Sequence, residues 1–269
     1  MMPAKQSPIL RAWRAAQDTA DGAYVGLGIG FPEMVARFQP PGRQPIFRTE
    51  NGILGFGDAP AAGAEDWDLI NAGKKAVTIK PGTAFFHHAD SFAMVRGGHL
   101  DVAILGAYEV AETGDLANWS TGPTGVPAVG GAMDLVHGAR QVAVITVHVT
   151  WNSTPKPPRR CTLPLMGIGC VTRVSLSLAG IDIVGGQFVP CEKRSSRSVD
   201  GLQSLTRADL LVQGSAAAAQ ANSRLAREIA AVILPQRKGP PVVVNTDEHS
   251  RATTADSLAR LHPPSPAAR

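Results

Sequence analysis

YVGLGIGFPEMVARF, residues 24–38, decides how the chain folds. Its first half is a short apolar run that passes into glycines at alternate positions, Gly26, Gly28 and Gly30. Its second half opens with Pro32, which suits the first turn of a helix because its missing N–H would find no partner there anyway. The segment reads as strand, glycine loop and helix through about Phe38, the beginning of a βαβ unit. Ile46–Thr49 then supplies a second strand that ends at Glu50.

Outward from this unit, DVAILGA (101–107) and QVAVITV (141–147) are unbroken apolar runs. Parallel strands look this way when both of their faces are covered. Further strand candidates lie at 171–178, 181–184 and 241–244, with short apolar runs at 76–79 and 83–86. Upstream, residues 8–19 have helical periodicity with Ile9, Leu10 and Trp13 on the apolar side. Short helices are expected at 91–96 and 132–139, and glycine- and proline-broken loops over 50–68 and 112–131. The fold class is therefore α/β, an open and mostly parallel sheet covered by helices. The 28 glycines and 21 prolines fit short elements joined by tight loops. From about Ser215 the texture changes to an alanine-rich helical pattern, SAAAAQANSRLAREIAAVI, and then a Pro/Arg-rich end. Residues 1–214 are expected to form the main domain and 215–269 a helical or disordered extension, with the last dozen residues disordered.

The net charge of +4 does not spread over the chain. From Cys191 onward eleven Lys/Arg stand against seven Asp/Glu, and residues 1–190 balance. No dense basic run interleaved with aromatics occurs, so a solvated basic tail explains the charge and nucleic-acid binding is not expected. Three cysteines, Cys161, Cys170 and Cys191, form no closed disulfide set and no CxxC pair, which suits a reducing compartment. The N-terminus has no signal-peptide core, and no apolar run is long enough to cross a membrane. A soluble cytoplasmic protein without membrane contact is expected.

Three places can carry chemistry. Glu50-Asn51-Gly52 puts a carboxylate at the end of a parallel strand, where open α/β sheets hold their ligands. Read from the residues alone, such a carboxylate is more often a turn or ion-pair residue than a functional one. Gly26-Leu27-Gly28-Ile29-Gly30 resembles a phosphate-binding turn after a strand, although it is not a complete G-x-G-x-x-G and also fits a plain turn. Gly130-Gly131 opens a short helix and offers backbone N–H groups to an oxyanion, or merely makes a tight turn. His87, His88, Asp90, His99 and Asp101 lack metal-ligand spacing, and no G-x-S-x-G elbow exists. No metal is expected.

Seven stretches in order are similar to the B subunits of family I coenzyme A transferases, the 3-oxoacid and 3-oxoadipate enzymes. They are residues 24–38, ENGILGFG (50–57), DLINAGKKAVTIKPG (68–82), ADSFAMVRGGHLDVAILGA (89–107), GDLANW (114–119), VGGAMDLV (129–136) and CTLPLMGIGCVTRV (161–174). The resemblance covers about residues 20–184, with a looser match to about 213. It implies that Glu50 is the catalytic nucleophile and that Gly131 donates its N–H to an oxyanion. It also implies that Gly26, Gly28, Gly30 and Gly130 belong to the coenzyme A surface. Coenzyme A then arrives as a thioester substrate, with no tightly bound cofactor, and a separate A subunit completes a heterodimer or heterotetramer. The implied reaction moves CoA from an acyl-CoA such as succinyl-CoA to a 3-oxo acid through a glutamyl-CoA thioester.

The acid implied first is 3-oxoadipate, because oxoadipate-type relatives tend to carry a histidine near His87-His88-Ala89-Asp90, where it can reach a second carboxylate. Alternatives are acetoacetate, hydrolysis of the thioester by water, or a non-catalytic subunit, the last at odds with intact ENG and GGAMD motifs. On this basis Gly131→Ala is expected only to weaken exchange, since the N–H survives. The sequence departs from the pattern at Arg48-Thr49, where relatives often show His-Ser. It departs again at Val147 and Trp151 around His148, in Pro155-Lys156-Pro157-Pro158, and in the long end after about 213.

Overall fold

The computed structural model describes residues 8–122, 129–150, 154–193 and 198–211, together with the backbone of two short strands at 232–234 and 242–244. Two compact units divide near residue 212. The first is built on nine strands: β1 (Tyr24–Leu27), β2 (Ile46–Arg48), β3 (Ile53–Phe56), β4 (Ile79–Phe85), β5 (Leu100–Gly106), β8 (Ala139–Ile145), β9 (Arg173–Ser175), β10 (Ala179–Val184) and β11 (Gln187–Lys193). Their order across the sheet is β11-β10-β9-β8-β5-β1-β2-β3-β4. The five central strands from β9 to β2 are parallel, and an antiparallel hairpin extends each side. A small separate ladder joins β6 (Glu109–Val110) to β7 (Leu116–Ala117).

The two longest apolar runs are continuous because β5 and β8 each feed two cores. In β5, Ala103 and Leu105 enter one hydrophobic cluster while Val102 and Ile104 face the other. In β8, Val142 and Val144 alternate in the same way with Ala143 and Ile145. Helices α2 (His88–Arg96) and α3 (Ala132–Gly138) cover the first cluster through Val95, Leu135 and Val136. Helix α1 (Pro8–Gln17) and a 3₁₀ helix over Phe31–Phe38 cover the second through Ala12, Ala15, Ala16 and Val35. A last short helix, α4 (Val199–Gln203), buries Leu202.

Several elements differ from the sequence reading. The first crossover helix is 3₁₀ rather than α. The loop expected over 50–68 contains β3, and one strand, β4, takes only Ile79 from the run at 76–79 and Thr83–Phe85 from the run at 83–86; it tolerates Pro81 because it lies on the sheet edge. Helix α1 faces the other way. It buries Arg11 and Arg14 and leaves Ile9 and Trp13 about half exposed. The cause is distant in sequence: Arg14 Nε pairs with Glu192 at 2.8 Å, and its Nη1 donates to the Leu176 carbonyl. In the second unit, β12 (Val232–Leu234) pairs antiparallel with β13 (Val242–Val244). Val232 and Ile233 are therefore strand where helix was expected. The remainder of that helix and the final dozen residues lie outside the described residues.

A buried ion network seals α1 to the far hairpin. Arg173 on β9 meets Asp18, Asp182 at 2.7 Å and Glu192 at 3.2 Å. Burial alone would pull the guanidinium pKa down, but Asp18, Cys191 and Asp182 together raise it. Removing the cation strands these acids. Arg173→Met is expected to cost about 2–3 kcal/mol, below the usual range for a broken buried pair because the carboxylates are a quarter exposed. Urea unfolding measures this, and an unchanged midpoint would show that the network contributes nothing.

Candidate active site

The strand order reverses at β1: the chain moves from β1 to β2 on one side, then returns to place β5 on the other. Open α/β sheets form a crevice at such a switch, outside the carboxyl ends of the strands. Here the crevice is a cleft of about 620 Å³. Gly28–Pro32 after β1, Glu50 after β2, Gly106–Tyr108 after β5 and Thr146–Val147 after β8 all line it. Gly130, Gly131 and Ala132 close it from the start of α3.

Glu50 is presented by a tight turn. Thr49 N donates to Ile53 O at 2.9 Å, and Ile53 N returns a bond to Thr49 Oγ1 at 3.1 Å. Gly52 adopts φ +110°, and a Cβ there would strike the Phe86 carbonyl, so no side chain fits. Phe86 N donates to Gly52 O at 3.0 Å, tying the approach to α2 onto the turn. Asn51 Nδ2 donates to Ile70 O at 2.8 Å. Below the turn, buried Arg48 donates to the Ser91 carbonyl at 2.6 Å and to Ser91 Oγ, and Ser91 Oγ donates to Thr49 O. Burial lowers the Arg48 pKa, and the Glu50 charge opposes that shift. Every neighbour in the turn is thus committed, while the Glu50 carboxylate makes no hydrogen bond or ion pair with any described residue. Glu50 does sit in a turn, and no ion pair among the described residues accounts for its carboxylate.

Gly131 stands directly opposite. A Cβ built on it would run into Glu50 Oε2 and lie 2.8 Å from Phe92 Cζ. It heads α3 without a side-chain cap, so the first N–H groups of that helix are not satisfied by a capping side chain. Gly130 and Gly30 line the cleft in left-handed conformations, φ +60° and +89°. Gly28 lines it too, but its N–H is spent on Ile104 O at 2.8 Å. Gly26 does not reach the cleft. It is buried within β1, where a Cβ would press on Leu100 and Leu135 at 2.9 and 3.2 Å.

The histidines offered for a second carboxylate also lie elsewhere. His87 Nδ1 accepts from Ala89 N at 3.1 Å and caps α2, while His88 packs its ring 4.9 Å from that of Phe92. Neither lines the cleft. Two cations do, and sequence reasoning passed over both. Arg11 comes from α1, and Lys156 returns to the cleft because Lys156 N donates to His148 O at 2.9 Å. His148 itself is fully buried against Thr206 Oγ1 at 3.0 Å and holds the loop in place.

A thiol nucleophile has no place here. Cys161 and Cys170 lie off the cleft, and burial, aided by Glu109 for Cys161 and by Asp115 for both, pushes their pKa up to about 11. A thiol so raised holds about a hundredth of the usual thiolate at pH 8, so alkylation of both should run about 100-fold slower than for a free thiol. Iodoacetamide labelling with peptide mapping measures this, and rapid labelling of either would refute it. Among the described residues, no group of three or more His, Cys, Asp or Glu is arranged to hold a metal, and no helix is long and apolar enough to cross a membrane.

The sequence profile of the coenzyme A transferase family matches residues 11–197, which span the whole cleft. The chain belongs to the coenzyme A transferase family. It is 50% identical over 201 residues to the B subunit of the 3-oxoadipate CoA-transferase of Acinetobacter baylyi, covering 74% of this chain and 93% of that one. It is 45% identical over 202 residues to the B subunit of a probable succinyl-CoA:3-ketoacid coenzyme A transferase of Bacillus subtilis, covering 75% and 94%. Among solved structures, the acyl-CoA transferase apoenzyme of Escherichia coli O157:H7 superposes with a TM-score of 0.61 at 16% identity. That match takes in 80% of this chain but only 43% of the other, so this transferase chain spans less than half of that enzyme. At such low identity the likeness concerns the fold alone.

Proposed function

We propose that this chain is the B subunit of a coenzyme A transferase that works with a separate A subunit, carrying CoA from succinyl-CoA to 3-oxoadipate through a thioester on Glu50. The supporting observation is the Glu50 carboxylate, unpartnered among the described residues and facing Gly131 across a glycine-lined cleft. Residues 1–214 form the catalytic unit in this reading, and 215–269 an extension that contributes none of the site residues. The working compartment is the cytoplasm.

The chemistry follows from these groups. A Glu50 oxygen attacks the thioester carbonyl of acyl-CoA, the C–S bond breaks, and CoA thiolate leaves a mixed anhydride. The thiolate then attacks the Glu50 carbonyl, the first acid departs as its carboxylate, and CoA remains as a thioester on the protein. The acceptor carboxylate repeats the two steps in reverse, which restores ionised Glu50. One difficult exchange becomes several easier displacements. Each tetrahedral intermediate carries an oxyanion beside the Gly131 N–H, a donor whose loss typically costs about 3 kcal/mol of barrier. Gly130 and the left-handed Gly30 let the pantetheine arm approach backbone where a side chain would block it.

Support for 3-oxoadipate comes from the relatives at 50–51% identity that carry that name. Acetoacetate is the second reading, favoured by the relatives at 44–45% named for 3-ketoacids. The purified chain alone is expected to be inactive. With its A subunit it should show kcat/KM for 3-oxoadipate at least about tenfold above that for acetoacetate, the worth of a well-placed charge contact. A preference for acetoacetate reverses the acceptor, and turnover by the chain alone removes the A subunit from the proposal. Accumulation of free CoA without any acceptor would identify a hydrolase.

A further inference from the structure

Arg11 and Lys156 face the same cleft as Glu50, and neither forms an ion pair among the described residues. Arg11 is 4% exposed, yet its Nε is sealed from solvent without an acceptor, and its guanidinium makes no hydrogen bond or ion pair among the described residues. The Phe31 ring lies against it, its centre 5.2 Å from the guanidinium carbon. A ring covers only the face of a guanidinium and leaves the donors around its edge unused. Lys156 Nζ donates to Ala107 O and Thr146 Oγ1, both at 3.3 Å, and retains a third N–H. The two cations are close enough that Arg11 lowers the Lys156 pKa, after burial itself, with Glu109 opposing. Glu109 compensates Lys156 only at a distance: it forms no ion pair with either cation among the described residues, and its oxygens accept from Thr162 N, Thr162 Oγ1 and Leu163 N. Buried donors without acceptors are rare, and one that lines a cleft is explained by a ligand bound there.

We infer that Arg11 and Lys156 form a receptor for the second carboxylate of a dicarboxylic acyl group whose first carboxyl carbon reacts at Glu50. Glu50 is the one carboxylate among the described lining residues, set against two cations. When Glu50 is held as a neutral thioester, the described lining of the cleft carries two cations and no carboxylate, so a dianion is drawn in at the step that needs it. The arrangement across the sheet suits a substrate of some length. Lys156 and Thr146 sit beyond the β8 end and Glu50 beyond β2, three strand spacings of roughly 4.8 Å apart at the backbone, and all three line the one cleft. The receptor discriminates by charge at the far end of the acyl chain, which monocarboxylic 3-oxo acids lack. This deepens the transferase reading above and rests on it.

The test uses single-turnover formation of the enzyme–CoA thioester by the complex with the A subunit, comparing succinyl-CoA with acetoacetyl-CoA. In Arg11→Gln and in Lys156→Gln the ratio of the two rates is expected to fall about 10- to 100-fold, the range for losing a charged hydrogen bond, with Arg11→Lys between them and the parent. Free CoA should compete as well as before. An unchanged ratio, whether both rates drop together or neither does, overturns the receptor. A weakened affinity for free CoA would reassign the cations to its phosphates, and loss of assembly in both variants would reassign them to the A-subunit interface. If buried Arg11→Gln fails to fold, Lys156→Gln decides alone. Wild-type complex that forms no thioester on Glu50 from either donor refutes the transferase reading, and the receptor with it. A thioester that forms without discrimination refutes the receptor only.

Discussion

In the assembled enzyme, Glu50→Ala is expected to slow CoA exchange by roughly ten-thousand-fold or more, because in the proposed mechanism it removes the atom that attacks while leaving the binding surface. Folding should be little affected. The carboxylate makes no hydrogen bond or ion pair with a described residue, so its loss should stay near the 0.5 kcal/mol, approximately, of ordinary surface changes. A small additional cost is expected at Arg48, whose buried charge Glu50 helps to maintain. Glu50→Gln keeps the shape and still cannot form the anhydride, so it should match the alanine variant. Incubation with succinyl-CoA and no acceptor, then hydroxylamine, should leave a hydroxamate that maps to the peptide holding Glu50-Asn51-Gly52. A label on another residue, or near-normal turnover by Glu50→Ala, would remove Glu50 from the mechanism.

The elements that were legible in the sequence are those whose partners made them uniform. β5 and β8 feed hydrophobic clusters on both faces, so every position is apolar and the run is unmistakable. β3 and β4 were obscured because each carries a glycine, and β4 also a proline, within an edge hairpin exposed on much of its length. β11 was missed for a similar reason, with Pro190 in its middle and one neighbour only. Helix α1 shows a deeper limit. Arg11, Arg14 and Ala15 have the same spacing as a buried apolar stripe, but burial of Arg14 requires Glu192, which is 178 residues away. In the site, the ENG and GGAMD motifs mark Glu50 and Gly131 locally, and their placement opposite one another depends on the β2–β3 turn and the start of α3. Lys156 had no local signal at all. Its place in the cleft follows from a loop braced on buried His148.

Gly131→Ala is expected to cost more than its surviving N–H suggests. The backbone accepts alanine, since Gly131 sits at φ −75°, ψ −5°. The added methyl group, however, meets Glu50 Oε2 on one side and Phe92 on the other, at 2.8 and 3.0 Å from two ring carbons. Phe92 has little freedom to retreat, because His88 packs against its ring. The side that yields is therefore the unpartnered Glu50 carboxylate. Swinging it away costs little in folding, because it abandons no hydrogen bond among the described residues, but it moves the proposed nucleophile from its line of attack. A displacement of about 1 Å can cost roughly 100-fold in rate, and crowding of the oxyanion donor adds to that, so exchange should fall about 100- to 1,000-fold. The loss should appear in kcat and in the rate of thioester formation, while thermal unfolding shifts by a few degrees at most, as about 1 kcal/mol at a helix cap implies. Hydroxamate formation at Glu50 should slow in the same proportion as turnover. Turnover within about threefold of wild type, less than 1 kcal/mol in barrier, would mean that Glu50 works from a position that the Gly131 methyl group does not touch, and the pairing of these two residues would lose its catalytic meaning.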